Sequence, residues 1–152
     1  MARDELDLIL EELANDIAYI SKSEVREELK EIQQEEIQKV VYNHPIKPIG
    51  YDRRGEDDGL MDKENMEVDY INIKNGISLE MINTTTGNNA YDGYTRGYID
   101  QIIETGDGYW RSAGINGIAR PFIEATQDVI DNTDRIEEVI ENELKKKGWS
   151  IK

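Results

Sequence analysis

The chain has 152 residues and a formal net charge of −15, from 33 acidic and 18 basic side chains. The acidic excess is distributed: residues 1–41 hold 12 acids and 5 bases, residues 42–122 hold 13 and 8, and residues 123–152 hold 8 and 5. Without a basic stripe, binding to nucleic-acid phosphates or to an anionic membrane surface is not expected. We interpret the charge as a solubilising surface.

The chain contains no cysteine, which excludes disulfides and thiolate sites. No apolar run approaches the roughly 20 residues of a membrane-spanning helix, and the start of the chain does not resemble a secretory leader. A single α+β domain over residues 1–152 is predicted. Its predicted parts are an N-terminal helical region (1–42), a loop (43–65), a small antiparallel sheet with loops (66–118) and a C-terminal helix packed on the sheet (119–148).

A long helix is predicted over residues 4–41. Ser21 and Glu24 have the spacing of a capping box, so a break into two helices is expected there. Residues 43–48 end the helix, because proline disfavours the α conformation of the residue before it. Apolar residues recur at helical spacing along it: Leu6, Ile9, Leu13, Ile17, Ile20, Val25, Leu29, Ile32 and Val40.

A β-hairpin is predicted around Asn75-Gly76, a pair that suits a type I′ turn with φ > 0 at both positions. Ile71 and Ile73 lie on one face of this hairpin, which needs a cover of its own, either a second helix or a neighbouring subunit. The opposite face is expected to lie in the core and consists of Val68, Tyr70, Ile77, Leu79 and Met81.

Residues 83–97 are predicted to form a loop, and residues 98–104 fit either a short strand or a helical turn. The C-terminal helix follows, with Pro121 at its first position. Gly148 after three lysines predicts a Schellman end, with Trp149 covering Leu144. The apolar face of this helix is Phe122, Ala125, Val129, Ile136, Ile140 and Leu144.

The residues offer little for catalysis. His44, the one histidine, has no cysteine or second histidine with which to form a metal site, and we interpret it as solvated or capping. The acidic run 56–62 lacks the spacing of an EF-hand and is interpreted as a solvated loop. No Walker A or dinucleotide-binding glycine pattern occurs. We therefore expect no enzyme activity, no metal and no cofactor.

Two groups of residues favour protein contacts. Arg53 and Arg54 are adjacent in an acidic chain, and their guanidinium groups suit either an intramolecular carboxylate or a neighbouring subunit. Aromatic residues gather in or beside the second loop, where they suit either a protein–protein contact or the packing of the loop itself: Tyr91, Tyr94, Tyr98, Tyr109 and Trp110.

Arg120 and Glu104 are expected to pair if the segment carrying Glu104 ends beside the start of the last helix. The hypothesis rests on spacing alone.

Three blocks follow one another in the chain. The first is Tyr51-x-Arg53-Arg54 with Gly59-Leu60-x-Asp62 and Asn65. The second is Ile103-Glu104-Thr105-Gly106-Asp107-Gly108. The third is Ala119-Arg120-Pro121-Phe122-Ile123. Behind a long acidic N-terminal helix, these blocks resemble the small head–tail joining proteins of tailed bacteriophages, also labelled neck or minor tail components. The resemblance covers residues 40–147, and the segment 45–48 only partly matches the proline- and threonine-containing segment of that family.

The resemblance implies a structural virion protein without catalysis, assembled as a homo-oligomeric ring between the capsid portal and the tail tube. It implies portal, adaptor or stopper proteins and tail tube proteins as partners, with DNA passing through the ring without specific binding and no membrane. The location implied is the virion neck, and the host cytoplasm during assembly.

Three alternatives stand beside this interpretation. The first is a tail-terminator ring that caps the tail tube. The second belongs to another class, a small acidic inhibitor that mimics nucleic acid, and its one support is the charge of −15. The third is an acid/base hydrolase, which lacks a positioned histidine.

Overall fold

The computed structural model describes residues 2–46, 55–74, 76–88, 95–106 and 117–152. Over these ranges the chain has the predicted α+β fold, with a long N-terminal helical region, an antiparallel hairpin and C-terminal helices.

The N-terminal helical region continues without a break through four segments. Helix α1 (Ala2–Ile20) is joined to helix α2 (Arg26–Glu36) by a wider π-helical turn at Ser21–Val25. A second π-helical turn, Ile37–Tyr42, ends the region. The predicted break at residue 21 is therefore wrong, although the helix is irregular at that position.

The first π-helical turn has a local cause. The hydroxyl of Ser23 donates a hydrogen bond to the carbonyl of Tyr19 at 2.7 Å. Bonds of this kind, from a serine to the preceding turn, favour an irregular helix. The wider turn also accounts for the five-residue step between the buried Ile20 and Val25, because a π-helical turn holds more residues than an α-helical turn.

Two small antiparallel hairpins follow. Strands β1 (Met66–Ile73) and β2 (Gly76–Asn83) form the first, and strands β3 (Thr86–Asn88) and β4 (Thr95–Tyr98) form the second. A single 3-10 turn, Lys63–Asn65, precedes β1. The prediction of a loop over residues 83–97 is wrong where β3 and β4 pair.

The turn of the first hairpin differs from the predicted type. A type I′ turn at Asn75-Gly76 needs a positive φ at both residues. Gly76 is not among the glycines with positive φ, and it begins β2. Asn75 lies outside the described residues.

The described residues of the C-terminal part form helices α3 (Asp100–Thr105), α4 (Phe122–Asn132) and α5 (Arg135–Lys146). Residues 98–104 are thus the end of a strand followed by a helix. The single C-terminal helix predicted over 119–148 is wrong.

The division between α4 and α5 falls at Asn132-Thr133-Asp134. The side chain of Asn132 donates to the carbonyl of Asp128 at 2.9 Å. Asparagine, threonine and aspartate all bind nearby backbone groups and weaken a helix interior. The carbonyl of Asp134 then accepts from the amide of Glu138 and begins α5.

The end of α5 is the predicted Schellman motif. The amide of Gly148 donates to the carbonyl of Lys145, and the amide of Trp149 donates to the carbonyl of Leu144, each at 3.0 Å. Gly148 has a φ of +96°, which glycine adopts without steric cost. This prediction is confirmed.

The chain clusters into two compact units. The first unit comprises Met1–Leu29, Val68–Glu80 and Thr133–Lys152, and the central unit comprises Lys30–Glu67 and Met81–Asn132. The single domain predicted from the sequence stays a prediction. No helix in the described ranges is long and apolar enough to cross a membrane.

The core of the central unit surrounds the aromatic ring of Phe122, the first residue of α4, which is fully buried. Met66 at the start of β1 belongs to the same cluster, and Met81 of β2 packs against it. The C-terminal helical part thus packs on the base of the first hairpin, as predicted. The buried members of the cluster are Ile37, Val41, Leu60, Met66, Ile103 and Phe122.

Candidate functional site

Helix α5 lies antiparallel to part of the N-terminal helical region within the first unit. At the start of α5, the guanidinium of Arg135 contacts Oε1 of Glu28, with Nη2 at 2.6 Å. Just past its end, the indole N–H of Trp149 donates to Oδ2 of Asp16 at 2.8 Å. The ammonium group of Lys147 is 3.2 Å from Oδ1 of the same carboxylate. These contacts place α5 beside residues 16–28.

The carboxylate of Asp16 is stabilised in its charged form by these contacts. The hydrogen bond from the Trp149 indole is the largest cause of the lowered pKa of Asp16; desolvation opposes it, and the contact with Lys147 lowers the pKa further. The ammonium group of Lys147 also lies 4.9 Å from the ring centroid of Tyr19, within cation–π range. The C-terminal end of α5 is therefore fixed to α1 by charge as well as by packing.

The start of α1 extends beyond this contact. Residues 4–12 are all exposed, and we call them the arm. Leu6 and Ile9, at the start of the apolar stripe, are exposed, because the contacts of α5 with this helix begin at Asp16. The exposed large apolar side chains of the arm are Leu6, Leu8, Ile9 and Leu10.

The first hairpin carries a second exposed apolar surface. On the face predicted to be core, Val68 is buried and Ile77 and Leu79 are half-buried, although Tyr70 is exposed. On the opposite face Ile71 and Ile73 are each 56% exposed. The predicted distinction between the faces is confirmed, with Tyr70 as the exception.

The first motif block builds a turn in the central unit. Asp62 accepts hydrogen bonds from two backbone amides, those of Asp58 at 3.0 Å and Glu64 at 2.9 Å. The side chain of Asn65 donates to the carbonyl of Gly59 at 3.1 Å, and Leu60 between them lies in the core. These residues hold the turn in place and bury its apolar member.

Sequence reasoning missed the polar group that holds this turn. The buried side-chain amide of Asn83, at the end of β2, donates to Oε1 of Gln33 at 3.0 Å and to the carbonyl of Leu60 at 2.9 Å. Oδ1 of Asn83 accepts from the amide of Thr85, whose hydroxyl lies 3.1 Å from the carbonyl of Gly59. The sequence feature that could have predicted this group is the run of three polar residues, 83–85, at the end of an apolar strand.

The second and third blocks meet at the start of α4. Oε2 of Glu104 accepts from the amide of Ile123 at 2.8 Å, and Oε1 accepts from the amide of Glu124 at 2.9 Å. A carboxylate in this position pairs two amides that have no partner within the helix and interacts favourably with the helix dipole. Pro121 accepts the first helical hydrogen bond, from the amide of Ala125.

Arg120 joins these blocks through its backbone. Its amide donates to the carbonyl of Ile103 at 2.9 Å, and the residue is buried. The backbone of Arg120 thus lies beside the segment that carries Glu104, whose carboxylate accepts from the amides of residues 123 and 124. A pairing of the Arg120 and Glu104 side chains stays a prediction.

Gly106 allows the two blocks to approach. Its φ is +76°, and a Cβ built on it would lie 2.4 Å from the carbonyl carbon of Ile118. The amide of Gly117 donates to the carbonyl of Gly106 at 2.7 Å and closes the contact. Any larger residue at this position would meet backbone, which cannot move aside as a side chain can.

The residues considered as candidates for catalysis or metal binding form hydrogen bonds with neighbours in the chain. Nδ1 of His44 accepts from the amide of Ile46 at 3.1 Å, in keeping with its interpretation as a solvated or capping residue. Asp58, with a φ of +53°, belongs to the turn of the first block. Across the described segments, no three histidine, aspartate or glutamate side chains are grouped to hold a metal ion.

Several predicted contact residues lie outside the described ranges or have side chains outside them. They are Tyr51, Arg53, Arg54, Tyr91, Tyr94, Tyr98, Tyr109 and Trp110.

Comparison with known proteins identifies a family for the chain. A family model described as YomN matches residues 5–146, which is most of the chain. The name is that of a protein from Bacillus phages and prophages, and it indicates a phage origin for this protein. No curated protein and no solved structure matches the chain.

Proposed function

This chain belongs to the YomN family, and we propose that it is a structural virion protein that assembles as a homo-oligomeric ring in the phage neck. The ring joins the capsid portal, or an adaptor or stopper protein on it, to the tail tube. The phage origin of the family and the order of the three motif blocks support this role.

The observation that carries the proposal is the outer face of the first hairpin. Ile71 and Ile73 are exposed in the single chain, although their side chains are apolar and β-branched. From the sequence, either a second helix or a neighbouring subunit is expected to cover this face, and no helix of the described residues buries it. A ring supplies such a cover at every position, because each subunit offers the same two contact surfaces to its neighbours.

The charge of the chain agrees with a channel for DNA. Phosphates moving past an acidic wall meet few cations that would hold them. With an excess of 15 acidic residues, the ring is expected to let DNA pass without specific binding.

Deletion of the gene tests the proposal. We expect filled capsids and separate tails of normal length, seen by negative-stain electron microscopy of lysates. Tails of irregular length would instead assign the protein to a tail-terminator ring. Virions that join normally without the protein would contradict both assembly roles and would favour the alternative of an acidic inhibitor.

A pair of variants tests the hairpin face. Ile71→Ser/Ile73→Ser is expected to fold with an unchanged melting temperature and to fail in complementing the deletion. Asn72→Ser, which alters the other face of the same strand, is expected to complement it. Full complementation by the double variant would show that this face is not a subunit contact.

A further inference from the structure

We propose that the arm, residues 4–12 of α1, is a docking surface for a different protein that presents an apolar strip flanked by lysine or arginine. The proposal concerns the single chain and does not depend on the ring. The arm is exposed to solvent, and the positions of its charged residues indicate the kind of partner that it binds.

The apolar side chains of the arm form a stripe. At about 100° per residue, Leu6, Ile9 and Leu10 fall within an arc of about 100° on the helix surface. All three are exposed, at 54%, 45% and 52%. Leu8 lies on the opposite side of the helix and is 66% exposed. The arm therefore has one apolar face and one isolated leucine.

Acidic residues border this stripe on both sides. Glu5 lies about 40° from one edge and Asp7 about 60° from the other, on the same helical geometry. The arm has five acidic residues in all, and no lysine or arginine occurs from position 4 to position 21. Its acids are Asp4, Glu5, Asp7, Glu11 and Glu12.

This arrangement disfavours a second copy of the chain packed arm to arm. Two arms packed stripe to stripe would bring their acidic borders together at short range, and like charges so placed oppose association. A partner with basic borders gains attraction at those positions and buries the same apolar stripe. An anionic lipid surface is disfavoured by the same repulsion.

Peptide binding to the full-length protein tests the arm. The probes are two fluorescein-labelled 18-residue amphipathic helices with the same leucine stripe, one bordered by lysine and one by glutamate. We expect the lysine peptide to bind at least tenfold more tightly in fluorescence anisotropy. The difference is expected to narrow as salt is raised from 0.05 to 0.5 M, because screening weakens exposed charge pairs.

Matched leucine variants separate docking from general attraction to an acidic protein. Leu10→Ser is expected to weaken binding of the lysine peptide at least tenfold, whereas Leu8→Ser changes it less than twofold. Equal effects of the two variants, or the absence of lysine-peptide binding, would overturn the proposal.

Sedimentation equilibrium tests the second copy as occupant. We expect the self-association of the protein to be the same in the natural chain and in Leu10→Ser. Glu5→Gln/Asp7→Asn/Glu12→Gln, which neutralises the borders, is expected to add a self-association that Leu10→Ser removes. Loss of self-association in Leu10→Ser alone would identify a second copy as the occupant and overturn the proposal.

Discussion

The two units of the chain differ in the exposure of their large apolar side chains. In the central unit, the ring of Phe122 is fully buried. The side chain of Asn83 is buried too, and both its nitrogen and its oxygen form hydrogen bonds. In the first unit, the arm and the hairpin leave large apolar residues such as Leu8 and Ile71 exposed. We therefore expect the core of the central unit to contribute mainly to stability. The exposed apolar residues of the first unit are the surfaces that we propose for contact with other molecules.

This contrast predicts where substitutions act. A change in the core of the central unit should lower the free energy of unfolding of the isolated protein. A change at the exposed surfaces of the first unit should leave it nearly unaltered and alter association.

The largest expected effect is at Phe122. Phe122→Ala should lower the free energy of unfolding by about 3–5 kcal/mol, through lost burial and the cavity that remains. Urea unfolding followed by circular dichroism measures it. Leu8→Ala, at an exposed position, is the control and should change stability by less than about 0.5 kcal/mol. Similar losses for both variants would remove the contrast between the units.

The next effect separates steric contact from backbone strain. Gly106 and Gly117 have φ values of +76° and +79°, but only at Gly106 does an added Cβ meet other atoms within 4 Å. Gly117→Ala should cost about 1–2 kcal/mol, from the left-handed backbone alone. Gly106→Ala should cost about 1–3 kcal/mol more, because its Cβ displaces the backbone of Ile118. Equal losses in thermal unfolding would show that the close approach is unimportant.

A smaller effect is expected at Glu104. Glu104→Ala should lower the free energy of unfolding by about 1–2 kcal/mol, since two amides at the start of α4 lose their charged partner. Glu104→Gln keeps one carbonyl oxygen and should lose less. If Glu104→Ala is as stable as the natural protein, the carboxylate is not a helix cap in solution.

The smallest effect is a pH dependence in the first unit. The pKa of Asp16 is lowered below its ordinary value of 3.8, chiefly by the Trp149 indole. A carboxylate with a lowered pKa adds stability above its unfolded pKa, and this stability is lost as pH falls through the folded value. Asp16→Asn should therefore lower the melting temperature at pH 6 by more than it does below pH 3.8.

Trp149→Phe supplies the control for this comparison. It removes the N–H donor, so adding Asp16→Asn to it should lower the melting temperature less than Asp16→Asn does alone. A melting-temperature difference that does not vary with pH would show that the charge of Asp16 does not hold the end of α5.

Local signals predicted the elements that depend on neighbours in the chain. Gly148 and the apolar residue after it predicted the end of α5, and alternation predicted the two faces of the first hairpin. The α+β class followed from these patterns. Near Ser21 the sequence predicted a break rather than the π-helical turn that forms there, because the same serine side chains can cap a helix or bind the preceding turn.

Of the candidate site, the sequence predicted that the hairpin has a second apolar face, and it offered the hypothesis that Glu104 lies beside the start of the last helix. It did not predict that Glu104 caps α4 through both of its oxygens. The same carboxylate suits an arginine or a helix start, and only the arrangement of the backbone at residues 123 and 124 selects between them.

By itself the sequence determined where the N-terminal helical region and the first hairpin form and which residues of each are apolar, because those properties depend on residues within a few positions. Only the tertiary structure decided which apolar stripes are covered. Leu6 and Ile20 belong to the same stripe, yet Leu6 is exposed and Ile20 is buried. The reason is that α5, more than a hundred residues away in the chain, lies beside the helix from Asp16 onward and leaves the arm free to meet a partner.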